Sequence, residues 1–482
     1  MFDYIIIGAG IIGSMVAREL SKYECKVLVV EKENDVANVQ TLANSAIIHA
    51  AYNPEPGSLK AILNIKGNYM YDQLEKELDI PILRCGAYVV AHNEIEENEL
   101  DRLADIAAQN GVPEFSVLSY SEAFKKEPNL SSNVTKVLSL PTTKVTYPWE
   151  VAFAAMENAI ENGVNLKLNY QVTGIKKTND YFEVEINNQD IINSKYLINA
   201  AGVSSDDIAK LIEKQPKFLI KGRKGEYFVI DRRYGDFVNH VIYPLPTEAG
   251  KGVLVTPQVH GEVLLGPNSI WVDDKNHPTT TFEGLKYVKD HSKTLINNIP
   301  YDRIIRSFAG VRASSNHEDF YIKESEEVKG LYHLGGIESP GLSAAPAIAE
   351  YLVNEIMQVN NKYELNKSYN PIRKKPIPYY DLDENKQKEL YAANNLYGRI
   401  ICKCERITEK EIIDAIHGTL GSSTIKGIKK RTRAGAGLCQ GGYCEEKVMK
   451  IIARELNVSP LEVAYDKKES KLFTSETKVV KK

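Results

Sequence analysis

The stretch Tyr4-Ile-Ile-Ile-Gly-Ala-Gly-Ile-Ile-Gly-Ser-Met-Val-Ala-Arg-Glu-Leu20, with Lys26-Val-Leu-Val-Val-Glu31 behind it, decides how this chain folds. Tyr4 to Ile7 is a short apolar run bounded by glycine, the pattern of a buried parallel strand. Gly8, Gly10 and Gly13 form G-x-G-x-x-G, and Ile12, Val16 and Leu20 then recur on one helical face. A second apolar strand, Val27 to Val30, ends in Glu31. Each glycine has a job in a dinucleotide site: Gly8 makes the tight turn, Gly10 admits a pyrophosphate, and Gly13 lets helix and strand pack closely. The helix start turns free N–H groups and positive potential toward the phosphates. Glu31 stands where an acid accepts ribose hydroxyls. The motif does not choose between FAD and NAD.

Working outward, Asn44-Ser-Ala-Ile-Ile-His49 follows the second strand. In such folds that position is close to the reactive end of the cofactor. His49 is a candidate base or substrate ligand, because its ordinary pKa lies near working pH; the alternative is a histidine that only satisfies its loop. Residues 80–145 break the strand–helix rhythm and suggest a second domain inserted into the first. A helix is expected over 150–162, and residues 165–192 alternate like antiparallel strands with a turn near Thr178. Lys195-Tyr-Leu-Ile-Asn-Ala-Ala-Gly202 reads as a strand ending in small residues, where backbone can approach a ligand. Residues 216–310 are strand-rich. Lys251, in a Gly-Lys-Gly turn, is a candidate cation for an anionic substrate, or else a solvated turn lysine. Arg312 could clamp a phosphate or carboxylate bidentately, or form a surface ion pair. Leu331 to Ser343 leads through a glycine turn into an alanine-rich helix, whose start would stabilise negative charge on a reduced flavin. Residues 360–398 read as a linker and the last dozen residues as frayed.

The chain has 482 residues, enough for two or three domains, with 43% hydrophobic residues to fill a core. A net charge of −4 disfavours nucleic-acid binding. No apolar run approaches the roughly 18 residues of a membrane span, and no signal peptide precedes the first strand. A cytoplasmic enzyme, touching a membrane only through a partner, is expected. Of six cysteines, Cys402, Cys404, Cys439 and Cys444 crowd near the C-terminus as C-x-C and C-x₄-C. Four thiolates on two loops can hold a [2Fe–2S] cluster or a tetrahedral zinc. Zinc sites favour C-x₂-C spacing, so the spacing leans toward iron–sulfur. The basic stretch between the pairs (Lys426, Lys429, Lys430, Arg431, Arg433) would temper a cluster's negative charge, or is a solvated face.

The N-terminal unit, the Asn44–His49 segment, Asn199-Ala-Ala-Gly202, Ser307-Phe-Ala-Gly-Val-Arg312 and Gly335-Gly-Ile-Glu-Ser-Pro-Gly-Leu342 together resemble the D-amino-acid-oxidase-like FAD oxidoreductases. Gly250-Lys-Gly-Val-Leu-Val-Thr-Pro257 and Ser339-Pro-Gly-Leu-Ser-Ala-Ala-Pro346 narrow the likeness to flavin-dependent glycerol-3-phosphate dehydrogenases and oxidases. Arg431-Thr-Arg-Ala-Gly-Ala-Gly-Leu-Cys-Gln-Gly-Gly-Tyr-Cys444 resembles the bacterioferritin-associated-ferredoxin type of [2Fe–2S] domain. The resemblance implies an α/β fold: a Rossmann-like FAD-binding domain (1–79, 146–215, 305–358) with an inserted antiparallel-β substrate domain (80–145, 216–304). A linker (359–398), a small α-helical cluster domain (399–465) and a flexible tail (466–482) complete it.

The same resemblance implies noncovalent FAD held by Gly8, Gly10, Gly13, Glu31, Asn44, Ser45, Val172, Ala201, Gly202, Gly336, Gly341 and Leu342. His49 would be the base, with Lys251, Arg312 and Ser339 at the substrate, and the four late cysteines would hold the cluster. Ala46 stands where relatives commonly carry glycine. The expected reaction is oxidation of sn-glycerol 3-phosphate to dihydroxyacetone phosphate, with electrons passing through the cluster to a partner protein. L-2-Hydroxyglutarate, or another 2-hydroxy acid, is the alternative substrate.

Overall fold

The computed structural model describes residues 1–246, 252–375 and 378–475. The strand Phe2–Ile7 lies between two parallel neighbours, Val27–Glu31 and the second half of Asp190–Asn199. Asn165–Leu168 adds outside Val27–Glu31, and Leu331–Gly335 outside Asp190–Asn199, both again parallel. Asn165–Leu168 was expected to be antiparallel. It instead extends the parallel core, and only the strands from Val172 to Ile192 form the antiparallel meander. Tyr4, Ile5, Ile6, Leu28 and Val29 are buried because both faces of a parallel sheet are covered. Each such side chain contributes about 1.5–3 kcal/mol of burial. The helix Ile11–Leu20 packs on Pro148–Glu161 and on Gly341–Glu350.

A second sheet of nine strands combines Ala87–Ala91 and its neighbours with the strands between Ile220 and Ser315. Among the described residues its pairings are antiparallel except that of Val241–Tyr243, which runs parallel to Ala87–Ala91. Strand Ile304–Ser315 is hydrogen-bonded along its length to Ile220–Ile230, so Arg312 is delivered from this sheet. The long helix Leu59–Leu78, capped by the Ser58 hydroxyl, packs against Gly341–Glu350. Gly67 makes that crossing possible, since a Cβ there would stand 2.1 Å from the Ser343 carbonyl oxygen.

The chain divides into two compact units, residues 1–32 with 36–373, and residues 33–35 with 374–482. In the second unit the helices Glu409–His417, Ile425–Thr432 and Glu445–Leu456 enclose Ile412, Ile416, Ile428, Val448 and Ile452. Thr408 and Glu411 form a capping box at the first of these. The stretch read as linker contains a helix of its own, Glu384–Ala393. The basic segment is not merely solvated: Lys430 is buried, and both it and Arg431 stand 2.8 Å from the Asp35 carboxylate in the same unit.

Candidate active site

The glycine turn has the shape its sequence predicts. A Cβ at Gly8 would meet the Ala200 carbonyl oxygen at 2.6 Å, and one at Gly13 would meet the Gly8 carbonyl oxygen at 1.9 Å. At Gly10, by contrast, only Thr41 Oγ1 lies nearby, at 3.3 Å. Space is therefore left at Gly10 alone, beside first-turn N–H groups that a helix cannot satisfy internally. That cradle fits a dinucleotide pyrophosphate. Glu31 Oε2 accepts from the Ala9 N–H at 2.7 Å, which braces the turn.

One cavity begins at Ile11 and Ile12 of this helix and continues to His49, Arg312, Ser339, Gly341 and Leu342. Asn44 and Ser45 also line it, while Val172, Ala201, Gly202 and Gly336 lie outside its wall. Asn44 is committed to its own loop: its Nδ2 donates to the Gln40 and Thr41 carbonyls and its Oδ1 accepts from the Ala46 N–H. The Ser45 hydroxyl lies 3.2 Å from that of Tyr227. Lys251 lies outside the described residues.

His49 is held at both ends. Its backbone N–H donates to Ser343 Oγ at 2.7 Å, and its carbonyl accepts from Asn68 at 3.0 Å. In the ring, Nδ1 is 2.9 Å from the Tyr243 hydroxyl, and Nε2 is 3.4 Å from Ser339 Oγ. Burial drives the Tyr243 pKa well above its ordinary value, so the phenol keeps its proton. Arg312 and Glu338 are the charged side chains that line the same cavity. Burial lowers the Arg312 pKa; Tyr227 and Glu338 counter that, while the neighbouring Arg223 adds to it. Among the described residues no carboxylate stands within ion-pairing distance of Arg312, because Glu338 is engaged by Arg223 at 2.7 Å and by Ser314 at 2.6 Å. A half-buried guanidinium that meets the Tyr227 hydroxyl but no carboxylate, beside a cavity, is a site for an anion.

Reading the sequence did not single out Tyr243, Tyr227, Glu338 or Arg223. Tyr227 and Tyr243 look like ordinary strand residues, and only the pairing of distant strands shows which way they face. Glu338 sits inside a motif that was noted, but its partner Arg223 is remote in sequence.

In the second unit, Cys402 and Cys444 are buried, Cys439 is half-buried and Cys404 is exposed. The thiols stand in two pairs: Cys402 with Cys444, which share a hydrogen bond, and Cys404 with Cys439, whose sulfurs are 3.7 Å apart. The bond from Cys444 holds the Cys402 thiol below its ordinary pKa, against burial, with help from the backbone N–H groups of Gly435, Glu405 and Cys404. Cys444 is driven up by that same bond and by burial. Among the described residues no three such side chains are set to hold a single metal ion. Two pairs of thiols suit a cluster of two irons, each taking two sulfurs. A separation of 3.7 Å matches two ligands on one tetrahedral metal at about 2.3 Å.

Fold, glycine cradle and cavity define a dinucleotide-binding protein. Residues 3–355 match the FAD dependent oxidoreductase (DAO) family, and the chain belongs to it. Residues 400–454 match the BFD-like [2Fe-2S] binding domain. The chain is 43% identical to a glycerol 3-phosphate dehydrogenase of Caloramator mitchellensis, over 99% of each chain. It is 30% identical to a glycerol 3-phosphate oxidase of Mycoplasma genitalium, over 76% of this chain and 98% of that one. The FAD-bound L-alpha-glycerophosphate oxidase of Mycoplasma pneumoniae superposes with a TM-score of 0.74 at 30% identity, covering 78% of this chain and 99% of that one. The α/β fold, FAD and the [2Fe–2S] domain expected from the sequence therefore stand. Among the described residues no helix is long and apolar enough to cross a membrane.

Proposed function

We propose that the protein is a dehydrogenase that oxidises sn-glycerol 3-phosphate to dihydroxyacetone phosphate and passes the electrons to a partner protein in the cytoplasm. The observation that carries this is Arg312: a half-buried cation without a carboxylate partner, lining the same cavity as His49. Its planar fork suits a phosphate. His49 Nε2 faces the cavity and takes the C2 hydroxyl proton, with Ser339 Oγ beside it to hold that hydroxyl. FAD, when bound, supplies the acceptor for the C2 hydride. The helix beginning at Gly341 presents its positive end to the cavity, where it stabilises negative charge.

Cys402, Cys404, Cys439 and Cys444 are the proposed cluster ligands, and the [2Fe–2S] cluster, when bound, supplies a one-electron exit. A carboxylate would also suit Arg312, so the test compares two acids. In anaerobic mixing, glycerol 3-phosphate is expected to bleach the oxidised-flavin band near about 450 nm. Bleaching by L-2-hydroxyglutarate alone would move the assignment to that substrate, and bleaching by neither overturns it. Replacing His49 with alanine is expected to slow flavin reduction by roughly 10²–10⁴-fold.

A further inference from the structure

The reaction leaves one charged group of the cavity wall without a role, the Glu338 carboxylate. Strand Ile304–Ser315 puts Arg312 and Ser314 on one face, and its register sets Arg223 of the neighbouring strand directly opposite Arg312. Glu338 meets this face from the turn after Leu331–Gly335. Its Oε2 accepts from Arg223 at 2.7 Å and from Ser314 Oγ at 2.6 Å. Among the described residues its Oε1 accepts no hydrogen bond, and the Lys60 ammonium stands 3.6 Å from it. Two bonds thus lock the carboxyl group, two cations balance its charge, and one oxygen is left for a ligand. We propose that Glu338 is a specificity-determining residue: Oε1 accepts the hydroxyl hydrogen at C1 of the substrate and excludes a carboxylate at that carbon. This rests on glycerol 3-phosphate being the substrate.

Glycerol 3-phosphate carries three polar groups. Arg312 takes the phosphate, and His49 with Ser339 takes the C2 hydroxyl. The C1 hydroxyl remains. Glu338 directly precedes Ser339, whose hydroxyl stands beside His49, so the carboxylate belongs to the same stretch of wall as the reacting carbon. The other polar side chains of the wall are engaged elsewhere: Asn44 by its own loop, Ser45 by Tyr227, and Gln40 and Thr41 by N–H groups of Val203 and Ile11. An ionised carboxylate has no proton to give, so the direction of the bond is fixed: the C1 hydroxyl donates. Such a charge-assisted bond is among the stronger ones available to a neutral group. A carboxylate at C1 would instead bring two like charges to hydrogen-bond distance, and one of them would have to take up a proton. A 2-hydroxy diacid has a carboxylate at each end, so with either end on Arg312 the other meets Glu338.

The test titrates ketones, which have no C2 hydroxyl to oxidise, into the oxidised FAD-loaded protein and reads binding by calorimetry. Dihydroxyacetone phosphate keeps the C1 hydroxyl, and hydroxyacetone phosphate replaces it with hydrogen at the same net charge. The wild-type protein is expected to bind the first at least about tenfold more tightly. In Glu338→Gln that gap is expected to shrink about threefold or more, because a neutral acceptor replaces a charged one. 3-Phosphohydroxypyruvate, with a carboxylate at C1, is expected to bind the wild-type protein at least about tenfold more weakly than dihydroxyacetone phosphate, and to gain on it in the variant. Equal wild-type affinity for dihydroxyacetone phosphate and either analogue overturns the proposal, whether or not the variant folds. A variant that keeps the wild-type gap between the first two ketones also overturns it. Anaerobic bleaching separates the two levels. If glycerol 3-phosphate leaves the flavin oxidised, the substrate assignment itself fails; if it bleaches the flavin while C1 goes unread, only the role of Glu338 falls.

Discussion

Ala46 holds a backbone that suits glycine. Its φ is +64°, and its N–H is tied to Asn44 Oδ1 at 2.8 Å, so the left-handed turn is enforced. A Cβ in that region costs about 1–2 kcal/mol, and glycine returns about 0.4–1 kcal/mol in unfolded-state entropy. Ala46→Gly is therefore expected to stabilise the protein by about 0.5–1 kcal/mol, read as a higher thermal midpoint. The sequence flagged this position through its likeness to relatives, but not the strain. Arg312 and His49 were legible as candidates because their chemistry is unusual in strand-and-loop context. What remained illegible was whether they were paired. Arg312→Lys keeps the charge but loses the planar fork, and is expected to raise the half-saturating substrate concentration by at least about tenfold in flavin-reduction assays.

At the level of elements, the glycine turn makes a contrast that FAD content and thermal unfolding can read. Gly13→Ala drives a Cβ into the Gly8 carbonyl, so both the fold and FAD binding are expected to suffer, by about 1–3 kcal/mol or more in stability. Gly10→Ala meets only Thr41 Oγ1, so the fold is expected to persist while FAD is lost. Another tie links strand Leu331–Gly335 to the end of Asp190–Asn199. His333 Nδ1 accepts from Asn199, and His333 Nε2 donates to Glu213 at 3.0 Å, which also accepts from Ser325. Burial raises the Glu213 pKa, but its bonds to His333 and Ser325 outweigh that and hold the carboxyl below its ordinary value. A depressed carboxyl pKa stabilises the fold above the unfolded value, about 4.3, and that stability is lost as pH falls through the folded value. Unfolding midpoints are expected to drop on acidification below about pH 4.3, and Glu213→Gln to flatten that slope.

For the molecule as a whole, the two compact units separate two chemistries. Cys404→Ser removes the exposed thiol of the set. Iron and sulfide per chain are expected to fall while anaerobic bleaching of the flavin by substrate persists. If bleaching were lost with the iron, the first unit would not carry the reduction alone. The first two parallel strands, the glycine turn, the helix starting at Gly341 and the crowding of four cysteines were readable directly, because each rests on short stretches of the chain; Asn165–Leu168 joining the parallel core, and the pairing of Cys402 with Cys444 and Cys404 with Cys439, were not. Period, turn chemistry and ligand spacing are local properties. The second sheet was only partly readable: its strands were visible, but neither the parallel pairing of Val241–Tyr243 with Ala87–Ala91 nor the place of Ile304–Ser315 beside Ile220–Ile230 was. Those pairings fix the facing of Tyr227, Tyr243 and Arg312. The chain alone thus pointed to the glycine cradle and to the four crowded thiols as candidates. Tertiary structure alone decided that Arg312 would line the cavity without a carboxylate partner and that His49 would meet Tyr243, since both depend on strand registers between segments far apart in sequence.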